Sequence, residues 1–469
     1  MLDYYCGDKM KRIRNKNIDR SLKIIKKERE RIKEEKQKIK LEKEQKFYST
    51  KFGCFLMDFF DINIQEKSVT KIIRKRILSS IISVLFGGIL CLMVLFILTG
   101  GRNYLKLYKE LNDFIDTYDT VTNEYYGELS KEKMIDSVIE SLITSVGDVY
   151  TTYSDEESTT SFLEDLKGTY EGIGCLVSMN EENDIYVVDV FDGTPAFKAG
   201  ILKDDIILEI DGIDYRDKTS EDMSSYVKND AKEKVTLKIK RNDKELDINL
   251  VRDKVEIPSA VGEVIEQNNK KIGYISIDVF SSVTDVQFEK ELKKLEKKEI
   301  EGLIIDVRNN TGGYLDVVTD ISSLFLTKGK VIYQLETDDK KEKIKDNTKE
   351  NRKYPIVVLT NGGSASASEI LTASIKESYD NGFVVGTDTF GKGTVQKTKT
   401  LKNGNMIKYT IQKWLTPKGK YIDENGIKPT DVVEFDTTGF REDSQLDYSI
   451  KLLEKLIKWV FLLKILSIF

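Results

Sequence analysis

A run of small residues between a buried strand and a helix holds the serines that could do chemistry. PIVVLT at 355–360 predicts a buried strand, and NGGSASAS at 361–368 leads from it into the helix SEILTASIKES at 368–378. A serine at such a corner is exposed at the end of a sheet, and the N–H of the next residue points from the helix N-terminus at any developing oxyanion. The corner therefore predicts a serine nucleophile with part of an oxyanion hole.

The base for such a serine cannot be an imidazole, because the 469-residue chain contains no histidine. A serine hydroxyl is a weak nucleophile without a base, and a lysine can serve when burial lowers its pKa from about 10.4 towards neutrality. Lys392 lies between two glycines that let the backbone come close. Lys376 is the rival, although it lies ten residues along the helix from Ser366 and should point away. The residues alone leave both lysines open, since most lysines in so charged a chain are solvated.

Two ordered motifs resemble the C-terminal processing peptidases, also called tail-specific proteases. They are SASASE at 364–369 and TFGKGTVQ at 389–396. The resemblance implies that Ser366 is the nucleophile, that Lys392 is the general base, and that Gln396 hydrogen-bonds and positions the lysine. It implies a serine endopeptidase that needs neither metal nor ATP, with relatives in which movement of a second domain or oligomerisation assembles the site.

A second loop carries the rest of the expected oxyanion hole. DVRNNTGGYLDV at 306–317 resembles that family's Asp-x-Arg-x-Asn-x-Gly-Gly loop, with a threonine in place of the usual proline. The resemblance implies that a backbone N–H of Gly312 or Gly313 joins that of Ala367, and the sequence does not say which glycine donates. The polar residues before the glycines are interpreted as braces of the loop: Asp306, Arg308 and Asn309.

Residues 169–253 change to short β runs with glycine turns and resemble a PDZ domain of the bacterial protease type. GIG at 172–174 matches the loop whose N–H groups receive a peptide's terminal carboxylate, and GTPAFKAGI matches the helix that follows. The resemblance implies strand addition plus carboxylate capture, so the expected partners are protein or peptide C-termini. The predicted peptide-binding residues are Gly172, Ile173, Gly174 and Cys175.

An uncharged apolar run over 77–99 predicts a single transmembrane helix, because 23 residues at 1.5 Å each span about 34 Å. A buried core helix is disfavoured by the length and lack of charge, and a cleaved signal peptide by the 76 residues that precede the run. KIIRKR at 71–76 then places the N-terminus in the cytoplasm and the catalytic part outside the cell membrane.

Charge is divided unevenly between the two ends of the chain. Residues 1–76 hold 23 Lys and Arg against 12 Asp and Glu, a net charge of +11, and the remainder carries −16. The spacing over 18–46 predicts a solvated charged helix, a weak coiled coil or a helix that rests on anionic lipid. We read the positive charge as an orientation signal and expect no nucleic-acid partner. The apolar end of the C-terminal tail predicts either an interfacial helix or packing against the body.

The predicted architecture is an α/β fold of the ClpP/crotonase type, with one N-terminal transmembrane helix and a β-sandwich-like PDZ module inserted before or within the protease core. The predicted parts are a basic helical arm at 1–76, the span at 77–99, a helical part at 100–168, the PDZ domain at 169–253, the catalytic core at 254–436 and a helical tail at 437–469. We expect no cofactor and no metal, and a homo-oligomer is left open. The competing hypothesis is a PDZ scaffold or adaptor whose hydrolase-like domain no longer cuts.

Overall fold

The computed structural model describes residues 2–48, 69–98, 104–230, 232–350, 352–435 and 443–466. The chain divides into two compact units, Met1–Leu129 and Ser130–Phe469. The first unit contains helices α1 (Leu2–Tyr48), α2 (Val69–Leu98) and α3 (Tyr104–Glu124). Helix α1 extends over the segment predicted to be a charged helix, and its isoleucines at positions 18, 25, 32 and 39 are exposed. This exposure fits a solvated helix.

Helix α2 lies over the run predicted to cross the membrane. Among the residues that the structure describes, no helix is long and apolar enough to span a membrane. The transmembrane segment at 77–99 therefore has no support from the structure and stays a prediction.

The second unit starts with a short helical part that leads into a β domain. Helix α4 (Lys131–Thr144), strand β1 (Thr152–Ser154) and helix α5 (Glu156–Lys167) come first. The β domain follows as β2 (Thr169–Gly172), β3 (Cys175–Met179), β4 (Ile185–Val190), α6 (Pro195–Lys198), β5 (Ile206–Ile210), β6 (Ile213–Asp214), α7 (Ser220–Ser225), a π-helical turn (Tyr226–Asp230), β7 (Lys234–Arg241), β8 (Lys244–Val251) and β9 (Asp253–Glu256).

The β domain has its own sheet and its own core. The strands are ordered β3-β4-β5-β7-β8, with β6 paired to β5, and they enclose apolar side chains that include Ile185, Val187 and Leu237. The strand that enters the domain, β2, pairs with the strand that leaves it, β9. The two connections therefore run side by side, and the domain is an insertion on a double strand.

The last part of the chain alternates strands and helices. Its elements are β10 (Ala260–Gln267), β11 (Lys270–Ile277), α8 (Thr284–Lys297), β12 (Gly302–Asp306), α9 (Leu315–Ser323), β13 (Val331–Glu336), β14 (Lys341–Lys345), β15 (Ile356–Thr360), α10 (Ala367–Ser378), β16 (Gly382–Gly386), β17 (Thr394–Thr400), β18 (Met406–Leu415), β19 (Asp431–Val432) and α11 (Ser444–Leu466).

Two sheets organise this part. One has the order β10-β11-β12-β15-β16-β19 and is parallel from β11 onwards, whereas β1, β18, β13 and β14 form an antiparallel sheet with β17 paired to β18. Strands β12 and β15 are buried along their whole length, as their uninterrupted apolar sequences predict for a sheet that is covered on both faces. The α/β class is confirmed, and the narrower ClpP/crotonase type stays a prediction.

Helices cover the two faces of the parallel sheet with different residues of each strand. In β12, Leu303 and Ile305 pack with α8, α9 and α10, whereas Ile304 faces the opposite side. That second side is covered by α11 through Ile450, Leu453 and Ile457, so this stretch of the C-terminal tail packs against the body. The end of the tail, whose role was left open, lies outside the described side chains from residue 459 onwards.

Candidate active site

Ser366 occupies the corner between strand β15 and helix α10 in a strained backbone conformation. Its φ of 55° and ψ of −112° are sparsely populated for a residue with a side chain, and such conformations persist only when the surroundings enforce them. Asn310 enforces this one, because its carbonyl accepts hydrogen bonds from the N–H of Ala365 (3.0 Å) and from the Oγ of Ser368 (2.8 Å). The residues on both sides of Ser366 are thereby fixed.

A buried carboxylate, Glu369, connects the serine to the lysine loop. Its Oε2 accepts hydrogen bonds from the backbone N–H groups of Ser366 (2.8 Å) and Lys392 (2.9 Å). Its Oε1 accepts from the N–H of Gly391 (2.7 Å) and from the hydroxyl of Thr389 (2.6 Å). One carboxylate in the first turn of α10 therefore sets the distance between the two backbones.

The backbone N–H and carbonyl of Lys392 are both hydrogen-bonded, while its side-chain amine extends towards Tyr150. The carbonyl of Lys392 accepts a hydrogen bond from the Trp414 indole (2.7 Å), which complements the N–H bond to Glu369. Its Nζ lies 5.0 Å from the centroid of the Tyr150 ring. Among the described residues, no hydrogen bond joins Lys392 Nζ to Ser366 Oγ, and Ser366 forms a capping box with Glu369. The backbones of the pair are in place, and the two side chains are not hydrogen-bonded to each other.

Both residues line one cavity of about 970 Å³, together with the other predicted members of the site except Ala367. Gln396, Gly312 and Gly313 are in its wall. Gln396 does not act as the resemblance implies in this arrangement, since its amide donates to the hydroxyls of Thr394 (2.8 Å) and Thr410 (3.2 Å) rather than to the lysine. Its predicted role remains a prediction.

The two glycines of the 306–317 loop differ in what their N–H groups can do. The N–H of Gly312 donates to the side chain of Asn310 (2.8 Å), so it is already used. The N–H groups of Gly313 and Ala367 have no acceptor within the described part of the chain. Gly312 also packs so closely that an added Cβ would lie 2.8 Å from that of Ser366. Gly313 and Ala367 are therefore the pair with donors to offer an oxyanion.

The environment of Lys392 favours the neutral amine. Burial lowers the pKa of Lys392, and the nearby charge of Lys408 lowers it further, while Glu369 and Asp148 oppose the shift. Burial also raises the pKa of Glu369, against the hydrogen bonds that it accepts. A lysine with a depressed pKa is the group that a serine needs as a base when no histidine is present.

The rival lysine and the expected braces lie where they cannot react. The amine of Lys376 donates to the carbonyl of Lys428 (2.5 Å) and does not line the cavity. Asp306 forms an ion pair with Arg308 at 2.5 Å, and Arg308 forms a second with Asp443 at 2.7 Å. These contacts tie the loop after β12 to the residue before α11.

A separate groove of about 220 Å³ lies in the β domain. Of the four predicted peptide-binding residues, Ile173 and Cys175 line this groove, whereas Gly172, the last residue of β2, and Gly174 are not among its lining residues. Gly174 has a φ of +84°, and a Cβ there would lie 2.4 Å from that of Thr194, so this position requires glycine. Burial raises the pKa of the Cys175 thiol to about 12, so the thiol stays protonated at neutral pH. Cys175 therefore lines the groove and does not act as a nucleophile. The other lining side chains are mostly apolar and include Val177, Met223 and Val227.

Helix α5 and the strand connections join this groove to the cavity. Phe162 and Leu166 of α5 line the cavity, while Glu164 of the same helix lies 3.3 Å from Lys228 at the groove. Ile257, just after β9, lines both spaces. A displacement of this segment would therefore reach both sites.

Four residues of the site were missed from the sequence. Glu369 could have been found, because a glutamate three residues after a helix N-cap serine is the spacing of a capping box. Asn310 belongs to the recognised loop but was not distinguished from Asn309 beside it. Tyr150 and Asp148 carry no local signal, since they lie more than 200 positions from Lys392 and only the fold brings them to it.

Comparison with known proteins gives consistent matches. The model for Peptidase family S41 matches residues 271–433, and that for the PDZ domain matches residues 172–251. The chain is 36% identical over 327 residues to the carboxy-terminal processing protease CtpB of Bacillus subtilis (strain 168), covering 69% of this chain and 67% of that protein. It is 35% identical over 324 residues to a probable CtpA-like serine protease of Staphylococcus aureus (strain bovine RF122 / ET3-1), covering 68% of this chain and 64% of that one.

The chain thus spans about two thirds of the length of these curated relatives. Among solved structures, the photosystem II D1 C-terminal processing protease matches with a TM-score of 0.41 and 22% identity, over 71% of this chain and 87% of that one.

We expect Glu369→Gln to abolish the function of the site. The amide nitrogen would face N–H donors, so buried donors would lose their acceptor at a cost of about 1–3 kcal/mol each. The melting temperature should fall, and Ser366 should lose its reactivity towards a fluorophosphonate probe. Glu377→Gln is the matched control, because that glutamate of the same helix accepts only from the exposed N–H of Lys418. Equal labelling of Ser366 in both variants would refute the bracing role.

Proposed function

The chain belongs to peptidase family S41, the C-terminal processing peptidases, and we propose that it is a serine endopeptidase in which Ser366 and Lys392 form the catalytic dyad. The observation that carries this proposal is the shared carboxylate of Glu369, which holds the backbones of both residues beside one cavity.

The chemistry follows from the groups in the cavity. Neutral Lys392 takes the proton of Ser366 as the serine oxygen attacks a peptide carbonyl, and the negative charge on the carbonyl oxygen is received by the N–H groups of Ala367 and Gly313. The lysine then gives its proton to the leaving amine, and an acyl-enzyme remains. Water, deprotonated by the same lysine, attacks the ester and releases Ser366. Lys392 must first turn from Tyr150 to Ser366, since the two side chains are not hydrogen-bonded to each other.

Substrate capture is assigned to the PDZ groove. The resemblance to PDZ domains supports capture of a terminal carboxylate by backbone N–H groups of the 172–174 segment, and the apolar wall of the groove accepts an apolar last side chain. Ile257 and helix α5 lie between this groove and the cavity, so a chain bound by its C-terminus is close to Ser366. We propose that unfolded or flexible protein C-termini are the substrates and that Gln396 positions Lys392 once the dyad engages.

We also propose that the enzyme is anchored in the cell membrane by 77–99, with the N-terminus in the cytoplasm and the catalytic part outside. The support is the uncharged apolar sequence and the basic run at 71–76 that precedes it. A homo-oligomer remains compatible with this arrangement.

The dyad is tested with a C-terminally tagged unfolded substrate. We expect Ser366→Ala and Lys392→Ala to remove cleavage by at least about 1,000-fold, because each eliminates the nucleophile or its base. Lys376→Ala is the matched control and should cut like the wild type, since that amine bonds a distant carbonyl. The measurement is the rate of appearance of the shortened substrate.

The same assay gives the sign of the pH dependence. Because only neutral Lys392 accepts the proton and burial lowers its pKa from 10.5, activity should rise with pH and level off below that value. Cleavage that survives in both dyad variants would refute the assignment. Absence of cleavage by the wild type at every pH would instead favour a PDZ scaffold.

The capture step is tested by changing the substrate rather than the enzyme. A peptide with a C-terminal carboxamide should show a KM raised by about tenfold or more with kcat nearly unchanged, because the N–H groups of the 172–174 loop lose a charged acceptor. The matched control carries a free carboxylate and an amidated internal glutamate side chain. Equal KM values for both peptides would show that the groove does not recognise the C-terminal carboxylate.

The membrane anchor is tested by carbonate extraction of cell membranes. The full chain should stay in the pellet, whereas Leu85→Lys combined with Leu92→Lys should release it, since charges at mid-helix cost about 3 kcal/mol each on insertion scales. Ile25→Lys with Ile32→Lys in α1 is the control with equal added charge. Release of the unchanged chain would contradict the anchor.

A further inference from the structure

A tyrosine that no motif identified covers the amine of the candidate base. Tyr150 is half-buried, and its ring centroid lies 5.0 Å from Lys392 Nζ, within the roughly 6 Å at which a ring face attracts an ammonium group. A ring in this position also excludes water from one side of the amine. Lys392 is thus held by Glu369 through its backbone and by Tyr150 through its amine.

The loop that carries Tyr150 is fixed by a carboxylate of its own. Asp148 accepts hydrogen bonds from the N–H of Tyr150 (3.0 Å) and from the hydroxyl of Thr151 (2.5 Å), and its carbonyl accepts from the N–H of Thr151 (3.1 Å). The hydroxyl of Thr151 in turn accepts from the N–H of Thr410 in β18 (3.2 Å). The turn at 148–151 is therefore tied to the sheet beside the cavity.

This turn also meets the predicted orienting glutamine. The amide of Gln396 donates to the hydroxyl of Thr410, whose N–H holds Thr151. A continuous set of contacts thus runs from Gln396 through Thr410 to the turn and ends at the ring over Lys392. Gln396 can act on the lysine through this turn without touching it.

We propose that Tyr150 is a positioning residue for Lys392: the 148–151 turn holds its ring over the amine, keeping the base dry and aligned until it engages Ser366. The inference rests on the proposed dyad and deepens it, because it names a residue that sets the state of the base. No other segment of the described chain places an aromatic ring on this amine.

The charges that face Lys392 come from three elements. Lys408 on β18 disfavours the protonated amine, whereas Glu369 on α10 and Asp148 on the turn favour it. Asp148 is ionised at neutral pH, because hydrogen bonds from Thr151, Thr410 and Tyr150 together with the charge of Lys392 outweigh burial and lower its pKa. Asp423 and Glu424 face Tyr150 itself, whose pKa is raised by burial and by these carboxylates, so the phenol stays neutral.

The first experiment measures kcat/KM of the full chain against pH for three variants. Tyr150→Ala admits water to the amine, which raises the pKa of Lys392, and it removes the attraction between the ring and the ammonium group, which lowers that pKa. Loss of burial is the larger effect, because burial is the main cause of the depressed pKa, so the acid limb of the profile should move to a pH about one unit higher. At a pH below both limbs this is a tenfold loss, which should appear in kcat and not in KM. Tyr150→Phe keeps the ring and should retain the wild-type limb. Val149→Ala, a matched control at the neighbouring exposed position, should also leave it unmoved.

A second variant predicts a shift of opposite sign. Asp148→Asn keeps a hydrogen-bond acceptor for the turn but removes a negative charge beside the amine, so the acid limb should move down by about half a unit. A residue with a merely structural role would lower activity at every pH without moving the limb. The limb of Tyr150→Ala decides the proposal: a limb at higher pH supports it, and an unmoved limb in the folded variant overturns it, whatever the direct charge effect of Asp148→Asn. If Tyr150→Ala does not fold, Tyr150→Ser, which also removes the ring, is measured in its place with the same two outcomes.

A readout independent of cleavage separates this inference from the proposed function. Labelling of Lys392 by acetic anhydride at graded pH, read by mass spectrometry, gives the pKa of its amine in the full chain. If the wild type cuts nothing, the dyad fails, yet a higher labelling pKa in Tyr150→Ala still supports the covering role. If the wild type cuts and Tyr150→Ala has the wild-type labelling pKa, the covering role is wrong and the dyad stands.

Discussion

The site depends on one buried carboxylate that serves two distant segments. Ser366 follows the last residues of a parallel strand, and Lys392 precedes the first strand of an antiparallel pair, so nothing in either sheet fixes their separation. Glu369 does so by accepting N–H groups from both with a single oxygen. The strained φ of Ser366 is stabilised by the same carboxylate, because the N–H of Ser366 donates to that oxygen. The carbonyl of Asn310 accepts hydrogen bonds from Ala365 and Ser368 on the two sides of Ser366.

The buried carboxylate of Glu369 depends on the elements that hold its hydrogen-bond donors in place. A charged group withdrawn from water is tolerated only when its oxygens are fully bonded, and Glu369 meets this with four donors from α10 and the 389–392 loop. Those donors are ordered because α10 packs between the parallel sheet and its neighbouring helices, and because the Thr389 hydroxyl accepts the N–H of Ile427 (2.6 Å). The packing of α10 against the sheet therefore buries Glu369 and the lysine loop beside it, and burial favours the neutral amine of Lys392.

The sequence could predict the parts of this site that are local. The strand before Ser366, the glycines around Lys392 and the order of the motifs identified the serine, the lysine and both loops. Glu369 could have been predicted from its spacing from Ser366.

The residues near the lysine amine could not have been predicted from the sequence. Tyr150 and Asp148 come from a turn near the start of the second unit, and the pairing of β1 with β18 brings them to the cavity. Gln396 shows the same limit: its position was predictable, but the choice of threonine hydroxyls over Lys392 depends on the register of β17 against β18.

The groove and the cavity share part of their walls. The backbones of Ser366 and Lys392 are fixed by Glu369, while the amine of Lys392 lies at the Tyr150 ring and is not hydrogen-bonded to Ser366. The cavity wall contains Phe162 and Leu166 of α5, a helix whose Glu164 contacts Lys228 at the groove. Lys228 and Ile257 line the groove between β3 and α7. Helix α5 and Ile257 are therefore the segments shared by the groove and the cavity, whereas the backbones that Glu369 holds belong to the cavity alone.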